Sequence, residues 1–288
     1  MRKIAEVFQS APPHWVGDGF PVRTLFSAAA DGERLSPFLL CDYAGPYDFM
    51  PSERRRGVGE HPHRGFETVT IVFEGELEHR DSAGNGGRIG PGDVQWMTAA
   101  SGVLHEELHS RDFAHKGGAF EVAQLWVNLP AKDKSAKPAY QTLRNADIPR
   151  VELPHGAGTL RVIAGDYHGT HGPAHSFTPI DLWDLRLHAG RGTSLMIPEG
   201  RMLGLAVLRG AVTINGERAV EAPRFALMDR GPGAVTVAAL AEATVLALSG
   251  EPIDEPIVMR GPFVMNSPEE IGRAIADFES GRFGHIHA

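Results

Sequence analysis

The sequence predicts an all-β protein of two barrel domains, and three observations support this fold class. The 288 residues, of which 42% are hydrophobic, exceed the usual size of one compact domain and allow two cores. The 34 glycines and 21 prolines are spread along the chain, as expected where tight turns join many short strands. Two similar apolar segments that end in glycine, 70–75 and 205–210, lie 135 residues apart, which indicates a repeat about one barrel long.

Short apolar segments rich in β-branched and aromatic residues predict the individual strands. The clearest of these segments are 67–73, 94–98, 122–127, 159–163, 182–187 and 244–248. Asn215 and Gly216 lie between apolar segments 212–214 and 218–220. Both residues tolerate the positive φ of a two-residue turn, so they predict a hairpin in the second half of the chain.

The polar segment 129–150, which contains several lysines and prolines, predicts the connection between the two barrels. We therefore expect an N-terminal domain at 1–140 and a C-terminal domain at 141–288.

One helix is predicted clearly, at the end of the second domain. Ser267 can cap it, Pro268 suits its first position, Glu270 completes a capping box, and Gly281 can end it. A single stripe of the helix, expected to pack on a barrel, contains the apolar residues Ile271, Ala274, Ile275 and Phe278.

Composition and charge exclude several classes of function. The formal net charge of -8 disfavours direct nucleic-acid binding, which needs clustered Lys and Arg. Cys41 is the only cysteine, so no intramolecular disulfide is possible and the chain suits a reducing compartment. The first residues lack a secretory apolar core, and no run of about 20 apolar residues occurs. We expect a cytoplasmic protein with no membrane segment.

Two short motifs carry side chains that bind metals. His61 and His63 flank a proline just before a predicted strand, and His105 and Glu107 flank Glu106. Residues two apart in a strand point to the same face, about 6.6 Å apart along the chain. If the two segments face each other across a barrel, three imidazoles and one carboxylate surround one ion and leave coordination positions open.

Two alternatives are weighed against this metal site. The chain has 14 histidines, and one His-x-His pair alone is more often surface or hydrogen-bonded core, but the second His-x-Glu pair favours a metal. Glu67, four residues beyond His63 and so on the same strand face, is a rival fourth ligand. His171 and His175 are left as loop residues, because Gly172 and Pro173 between them disfavour a helix.

These motifs resemble a known family. His-x-His-x3-Glu followed by Gly-x2-His resembles the two-part motif of the cupins. Five segments in order are similar to those of the pirin family and span nearly the whole chain: HPHRGFETVT (61–70), PGDVQWMTA (91–99), GVLHEE (102–107), GPFVMN (261–266) and SGRFG (280–284).

The resemblance implies two cupin (jelly-roll) domains in tandem, with metal in the first alone. It implies that the metal ligands are His61, His63, His105 and Glu107, and that Glu67 orients a ligand or lines the pocket. The 135-residue offset sets Met196 and Pro198 against His61 and His63, and neither residue can replace an imidazole. The second domain is therefore expected to be structural or to bind a partner.

The resemblance also indicates one divalent transition metal ion, and Fe(II) is the ion we expect. Imidazole and carboxylate ligands do not by themselves choose among Fe, Mn, Co, Ni and Cu, and Zn is a further alternative. Several apolar residues flank the ligands, and they either line a pocket for a flat aromatic substrate or form ordinary core. They are Phe66, Phe73, Trp96, Met97 and Leu104.

Two functions remain open from the sequence. The first is a dioxygenase similar to quercetin 2,3-dioxygenase, a monomer that cleaves a flavonol with O2, releases CO, and uses Glu107 or Glu67 as the base. The second is an iron- and redox-dependent regulator that acts through a protein partner without turnover.

Overall fold

A computed structural model describes residues 1–286 of the chain. The first half is built mainly of strands, with two short helices, α1 (Ala28–Leu35) and α2 (Arg111–Lys116). Its strands are β1 (Ile4–Phe8), β2 (His14–Val16), β3 (Phe20–Ser27), β4 (Phe38–Phe49), β5 (Gly57–His63), β6 (Phe66–Glu74), β7 (Leu77–Asp81), β8 (Gly86–Ile89), β9 (Val94–Thr98), β10 (Val103–His109), β11 (Gly118–Asn128) and β12 (Ala139–Leu143).

The second half is also built mainly of strands and is followed by α3 (Pro268–Glu279). Short 3-10 turns occur at Ala131–Asp133 and Pro154–Gly156. The strands are β13 (Arg150–Glu152), β14 (Gly158–Ala164), β15 (Asp166–Tyr167), β16 (Thr170–His171), β17 (Ile180–Leu187), β18 (Gly192–Met196), β19 (Met202–Arg209), β20 (Ala211–Ile214), β21 (Arg218–Glu221), β22 (Arg224–Met228), β23 (Ala234–Ala239), β24 (Ala243–Gly250), β25 (Val258–Arg260) and β26 (Phe263–Met265).

The chain forms two compact units, each a cupin barrel made of a larger and a smaller antiparallel sheet. The N-terminal barrel comprises 12–33, 38–145 and the residues from Ile253 on. Its larger sheet has the order β12-β9-β6-β11-β4-β3-β2 and its smaller sheet the order β5-β10-β7-β8. Buried aromatic and aliphatic side chains such as Phe20, Val72 and Phe120 form part of its core.

The C-terminal barrel comprises 1–11, 34–37 and 146–252. Its larger sheet has the order β1-β22-β19-β24-β17-β14-β13, and its smaller sheet the order β18-β23-β20-β21. Position by position, these orders match those of the N-terminal barrel, with β18 and β23 in the places of β5 and β10. The repeat detected in the sequence is therefore a repeat of topology, and the predicted fold class is confirmed.

Both ends of the chain differ from the contiguous domains 1–140 and 141–288. Strand β1 pairs with β22, between Phe8 and Phe225 for example, so the first residues complete the C-terminal barrel. The C-terminal helix belongs to the N-terminal barrel, because Ile271 and Ala274 pack with Leu104. Contacts between segments that are distant in sequence determine which barrel each chain end joins. No local sequence pattern encodes such contacts.

The local predictions agree closely with the observed elements. Each of the six predicted segments lies within an observed strand, and 94–98 coincides with β9. Asn215 and Gly216 have φ of 55° and 68° in the turn between β20 and β21. Ser267 caps α3 by accepting a hydrogen bond from the Glu270 N–H.

Three local features differ from the sequence predictions. The helices α1 and α2 were not predicted, since each spans at most eight residues and shows little periodicity. Phe278, placed on the apolar stripe of α3, is 38% exposed. The carboxylate of Glu270 accepts from the Asn266 N–H, one residue before the position that a capping box predicts.

Within the described residues, no helix is both long and apolar enough to cross a membrane.

Candidate metal centre

Three histidines converge in the smaller sheet of the N-terminal barrel. His61 and His63 lie on β5 and His105 lies on the neighbouring strand β10, where its Cα is paired with that of His61. The ring centroids are 4.2 Å apart for His61 and His105, and 4.8 Å apart for His63 and each of the other two. One nitrogen from each ring lies within 4.8 Å of the other two, so the group could hold a metal ion.

The strand pairing differs from the sequence prediction. The two motifs were expected to face each other across a barrel, but they lie side by side on adjacent antiparallel strands. A register shift between His105 and Glu107 places one extra residue in β5. Direct strand pairing sets His61 opposite His105 and His63 opposite Val103.

Each imidazole uses one nitrogen in a hydrogen bond and keeps the other available. His61 Nδ1 lies 2.8 Å from the Gly59 carbonyl oxygen. His63 bonds to the Pro262 carbonyl, and its buried Nδ1 has no partner among the described residues. The buried Nε2 of His105 likewise has no partner there. Buried nitrogens rarely remain unpaired, and two of them in one cluster fit a metal-binding role.

A chain of polar contacts sets the tautomer of His105. Its Nδ1 lies 3.3 Å from His79 Nδ1, and His79 Nε2 lies 3.3 Å from Asp81 Oδ2. Because the carboxylate can only accept when ionised, His79 donates from Nε2 and accepts at Nδ1 from the His105 N–H. This arrangement leaves a lone pair on His105 Nε2. Sequence reasoning missed His79 and Asp81, although they are two residues apart, like His61 and His63 or His105 and Glu107.

Electrostatics keep the buried imidazoles neutral. Burial lowers the pKa of His63 well below its ordinary value, and the nearby His61 adds to this effect. Burial also lowers the pKa of His105, with further contributions from His63, His61 and His79. Neutral imidazole is the form that coordinates metals, so both rings are ready to bind near neutral pH.

Glu107 lies on the same face of β10 as His105, yet the group of converging donors consists of the three histidines. Its Oε1 accepts from Gln95 Nε2 at 2.8 Å and from Thr70 Oγ1 at 3.1 Å, and its Oε2 accepts from Gln124 Nε2 at 2.8 Å. The carboxylate is buried, with 4% exposure. Three donors therefore hold the carboxylate in one orientation.

Glu67 occupies a different position from the one predicted. Thr70 on β6 contacts Glu107, and Glu67, three residues earlier on the same strand, points to the opposite face. There its Oε1 accepts from Thr98 Oγ1 at 2.6 Å. The expected alternation from His63 fails because Gly65, with φ of 90°, separates β5 from β6. The structure does not bring Glu67 together with the histidines.

The apolar residues that flank the ligands are mostly core. Their exposures range from 0% for Phe66, Trp96 and Met97 to 8% for Phe73. Phe66 also packs against His63, with 5.0 Å between the ring centroids. Trp126, which sequence reasoning missed, lies 5.3 Å from the His63 ring.

A small cavity inside this barrel reaches Glu107. It measures about 30 Å³ and is lined by Glu107, Gln124, Asp42 and mainly apolar side chains. A cavity of this size has room for about one water molecule. An aromatic ligand must therefore approach the histidine cluster from outside this cavity.

Fold and site together define a class of protein: a bicupin with a three-histidine cluster in its N-terminal barrel. Two family profiles match the chain, Pirin over residues 19–127 and the Pirin C-terminal cupin domain over residues 182–284. The chain therefore belongs to the pirin family.

Individual relatives agree with this assignment. A Pseudomonas aeruginosa protein named "putative quercetin 2,3-dioxygenase" is 57% identical over 100% of both chains. The crystal structure of quercetin 2,3-dioxygenase from Acinetobacter baumannii has a TM-score of 0.97 and 49% identity over 100% of both chains. Human pirin is 35% identical, covering 89% of this chain and 86% of its own.

Proposed function

We propose that this chain is a metal-dependent dioxygenase that cleaves flavonols such as quercetin with O2 and releases CO. The observation that carries the proposal is the histidine cluster, in which two buried imidazole nitrogens lack partners. The names of two similar proteins, a "putative quercetin 2,3-dioxygenase" and a quercetin 2,3-dioxygenase, support the same substrate class.

His61, His63 and His105 would hold one divalent transition metal, and Glu107 would complete the ligand set. Fe(II) is the proposed ion, and Mn, Co, Ni, Cu and Zn are the alternatives for this donor set. Such an ion supplies Lewis acidity for the flavonol oxygen and redox chemistry for dioxygen.

The protein's own residues supply orientation and proton transfer. Pro262, Gly59 and the His79–Asp81 pair fix the outer nitrogens of the three imidazoles, so the inner nitrogens converge without further reorganisation. Glu107, held by Thr70 and two glutamines, lies two residues from His105 on β10. It is our proposed acceptor for the 3-hydroxyl proton of the flavonol.

The proposed activity is tested by incubating the iron-loaded protein with quercetin in air and measuring flavonol loss together with CO. We expect turnover that stops on chelation and returns with Fe(II). A His61→Ala/His63→Ala variant should be inactive. Intact iron loading without CO release would contradict the proposed activity.

An exposed aromatic patch favours a second candidate, a metal-dependent regulator that binds a protein partner. Trp15 is 50% exposed and Tyr47 is 43% exposed, and their rings lie 5.4 Å apart. Exposed aromatic groups of this kind mark interaction surfaces. A purified partner that binds the iron-loaded chain, and loses affinity on Trp15→Ser without any flavonol turnover, would favour this candidate.

A further inference from the structure

The C-terminal barrel contains a cavity of about 580 Å³. This volume lies within the range of small-molecule sites, roughly 300 to 1,000 Å³. The residues that line it include Asp166, Tyr167, Asp181, Trp183, Glu199 and Arg201.

The cavity lies where the C-terminal barrel repeats the position of the metal centre. Met196 at the end of β18 and Pro198 just beyond it line the cavity, and β18 takes the place of β5 in the sheet order. Among residues 1–286, the one group of three or more side chains that could hold a metal ion is His61, His63 and His105. No such group of side chains lies at this cavity among the described residues.

One wall of the cavity is aromatic. Tyr167 and Trp183 pack edge to face, with ring centroids 5.1 Å apart. Trp183 is 3% exposed, and its indole Nε1–H has no hydrogen-bond partner among the described residues. The Nε1 atom is itself closed off from the cavity, so this wall offers a ligand ring surface rather than a hydrogen-bond donor.

The charges around the cavity disfavour an anionic ligand. Arg201 is already neutralised, because its Nη1 lies 2.9 Å from Asp181 Oδ2, and its Nη2 donates to the Pro179 carbonyl at 2.7 Å. Asp166 and Glu199 add two further carboxylates, and His168 also lines the cavity.

The carboxylate of Asp166 already has two partners. Its Oδ2 lies 3.1 Å from His171 Nδ1, and its Oδ1 accepts from the Gly169 N–H at 3.1 Å. The remaining lone pairs of Asp166 and Glu199 are acceptors for hydroxyl groups of a ligand.

The cavity wall at 197–201 is held in place by Arg2, which is 1% exposed. The guanidinium of Arg2 donates to the carbonyl oxygen of Arg201 at 2.8 Å and to that of Pro198. A wall fixed by interior hydrogen bonds needs little ordering when a ligand binds.

We propose that this cavity is a second, metal-free binding site for an uncharged ring compound rich in hydroxyl groups. The aromatic wall takes the ring, and the carboxylates of Asp166 and Glu199 accept hydroxyl hydrogens. Phenolic rings and sugar rings share this chemistry.

Isothermal titration calorimetry and saturation-transfer NMR on the chelator-treated full chain test the proposal with catechol, glucose and benzoate. Removing metal first prevents catechol from binding at the histidine cluster. We expect catechol or glucose to bind. Binding of catechol would identify the ligand as a phenolic ring, and binding of glucose would identify it as a sugar ring. Benzoate should bind at least tenfold more weakly than the responding probe, because the carboxylates repel it.

Variants locate the binding. Asp166→Asn/Glu199→Gln should weaken it at least tenfold, since hydrogen bonds to charged groups are removed. Trp183→Phe should also weaken it. Glu217→Gln, an exposed carboxylate in the β20–β21 turn, is the matched control and should bind as wild type.

The single variant Glu199→Gln, on an exposed loop, keeps the test valid if the double variant fails to fold. The proposal is overturned if neither catechol nor glucose binds, or if benzoate binds equally well. It is also overturned if binding survives Glu199→Gln and Trp183→Phe unchanged, or is lost in His61→Ala/His63→Ala. None of these outcomes depends on flavonol turnover.

Discussion

At the scale of single residues, the metal centre depends on which nitrogen of each imidazole is free. His63 and His105 are 4% and 0% exposed, and each keeps one buried nitrogen without a partner. A buried polar atom without a partner is costly, so the fold tolerates these two because they serve another purpose. Coordination of a metal ion is the purpose that we propose.

The first prediction separates the two carboxylates. Glu107→Gln should weaken iron retention and lower activity, because a neutral amide oxygen is a poorer ligand for a divalent cation. Glu67→Gln should retain one iron per chain, because Glu67 points to the opposite face of the sheet. Iron titration of both variants measures the difference. Loss of iron in Glu67→Gln with retention in Glu107→Gln would exchange their roles.

The second prediction concerns the pH dependence of stability. Burial raises the pKa of Glu67 to about 7, against the opposing hydrogen bonds from Thr98 and Trp96. The native state thus keeps a proton that the unfolded chain releases near pH 4.5. The contribution of Glu67 to the free energy of unfolding is greatest below pH 4.5. It falls by at most about 3 kcal/mol as the pH rises to 7.

Urea unfolding of metal-free protein at pH 4.5 and pH 7 measures this effect. Glu67→Gln should remove most of the decrease, since the amide does not titrate. The exposed Glu217→Gln control should keep it. Equal pH profiles for wild type and Glu67→Gln would show that Glu67 is not the group responsible.

At the scale of elements, strand alternation explains both the success and the failure of sequence reasoning. His61 with His63, and His105 with Glu107, each lie within one strand, so residues two apart share a face as predicted. Glu67 lies beyond Gly65, where the chain leaves β5 and enters β6. A break of this kind resets the alternation, and counting residues across it gives the wrong face.

The pairing of β10 with β7 places two residues behind His105 that the sequence motifs did not reveal. It places Asp81 opposite His105 and His79 opposite Glu107. Hydrogen bonds from His79 and Asn85 lower the pKa of Asp81 despite its burial, so the carboxylate stays ionised. His79 also stacks on Tyr140 at 4.6 Å. This strand pair therefore orients His105 from behind.

The third prediction tests that orientation. Asp81→Asn replaces a carboxylate that can only accept with a neutral amide that can also donate, so the tautomer of His79 is no longer fixed. The affinity for iron should fall roughly 10- to 100-fold. Asp112→Asn, which changes an exposed partner of Arg88, is the matched control. Competition with a chelator of known affinity gives both constants. Unchanged affinity for iron in Asp81→Asn would show that His79 and Asp81 do not orient His105 for metal binding.

At the scale of the whole molecule, two barrels of the same strand order present different side chains at corresponding positions, since Met196 and Pro198 of the second barrel stand where the first has His61 and His63. Sequence periodicity predicted the strands, the repeat and the C-terminal helix, because these depend on local residue patterns. The exchange of the chain ends could not be predicted, since β1 and α3 join their barrels through contacts with residues about 170 positions away or more. The cavity of the C-terminal barrel likewise arises from packing.

The central claim is that His61, His63 and His105 bind the metal of this protein. Metal content per chain, measured beside circular dichroism for wild type and His61→Ala/His63→Ala, tests it most directly. We expect one ion per wild-type chain, and less than a tenth of that in a variant whose β spectrum is unchanged, because the barrel cores rather than the ion supply the fold. Full occupancy in the folded variant would contradict the claim.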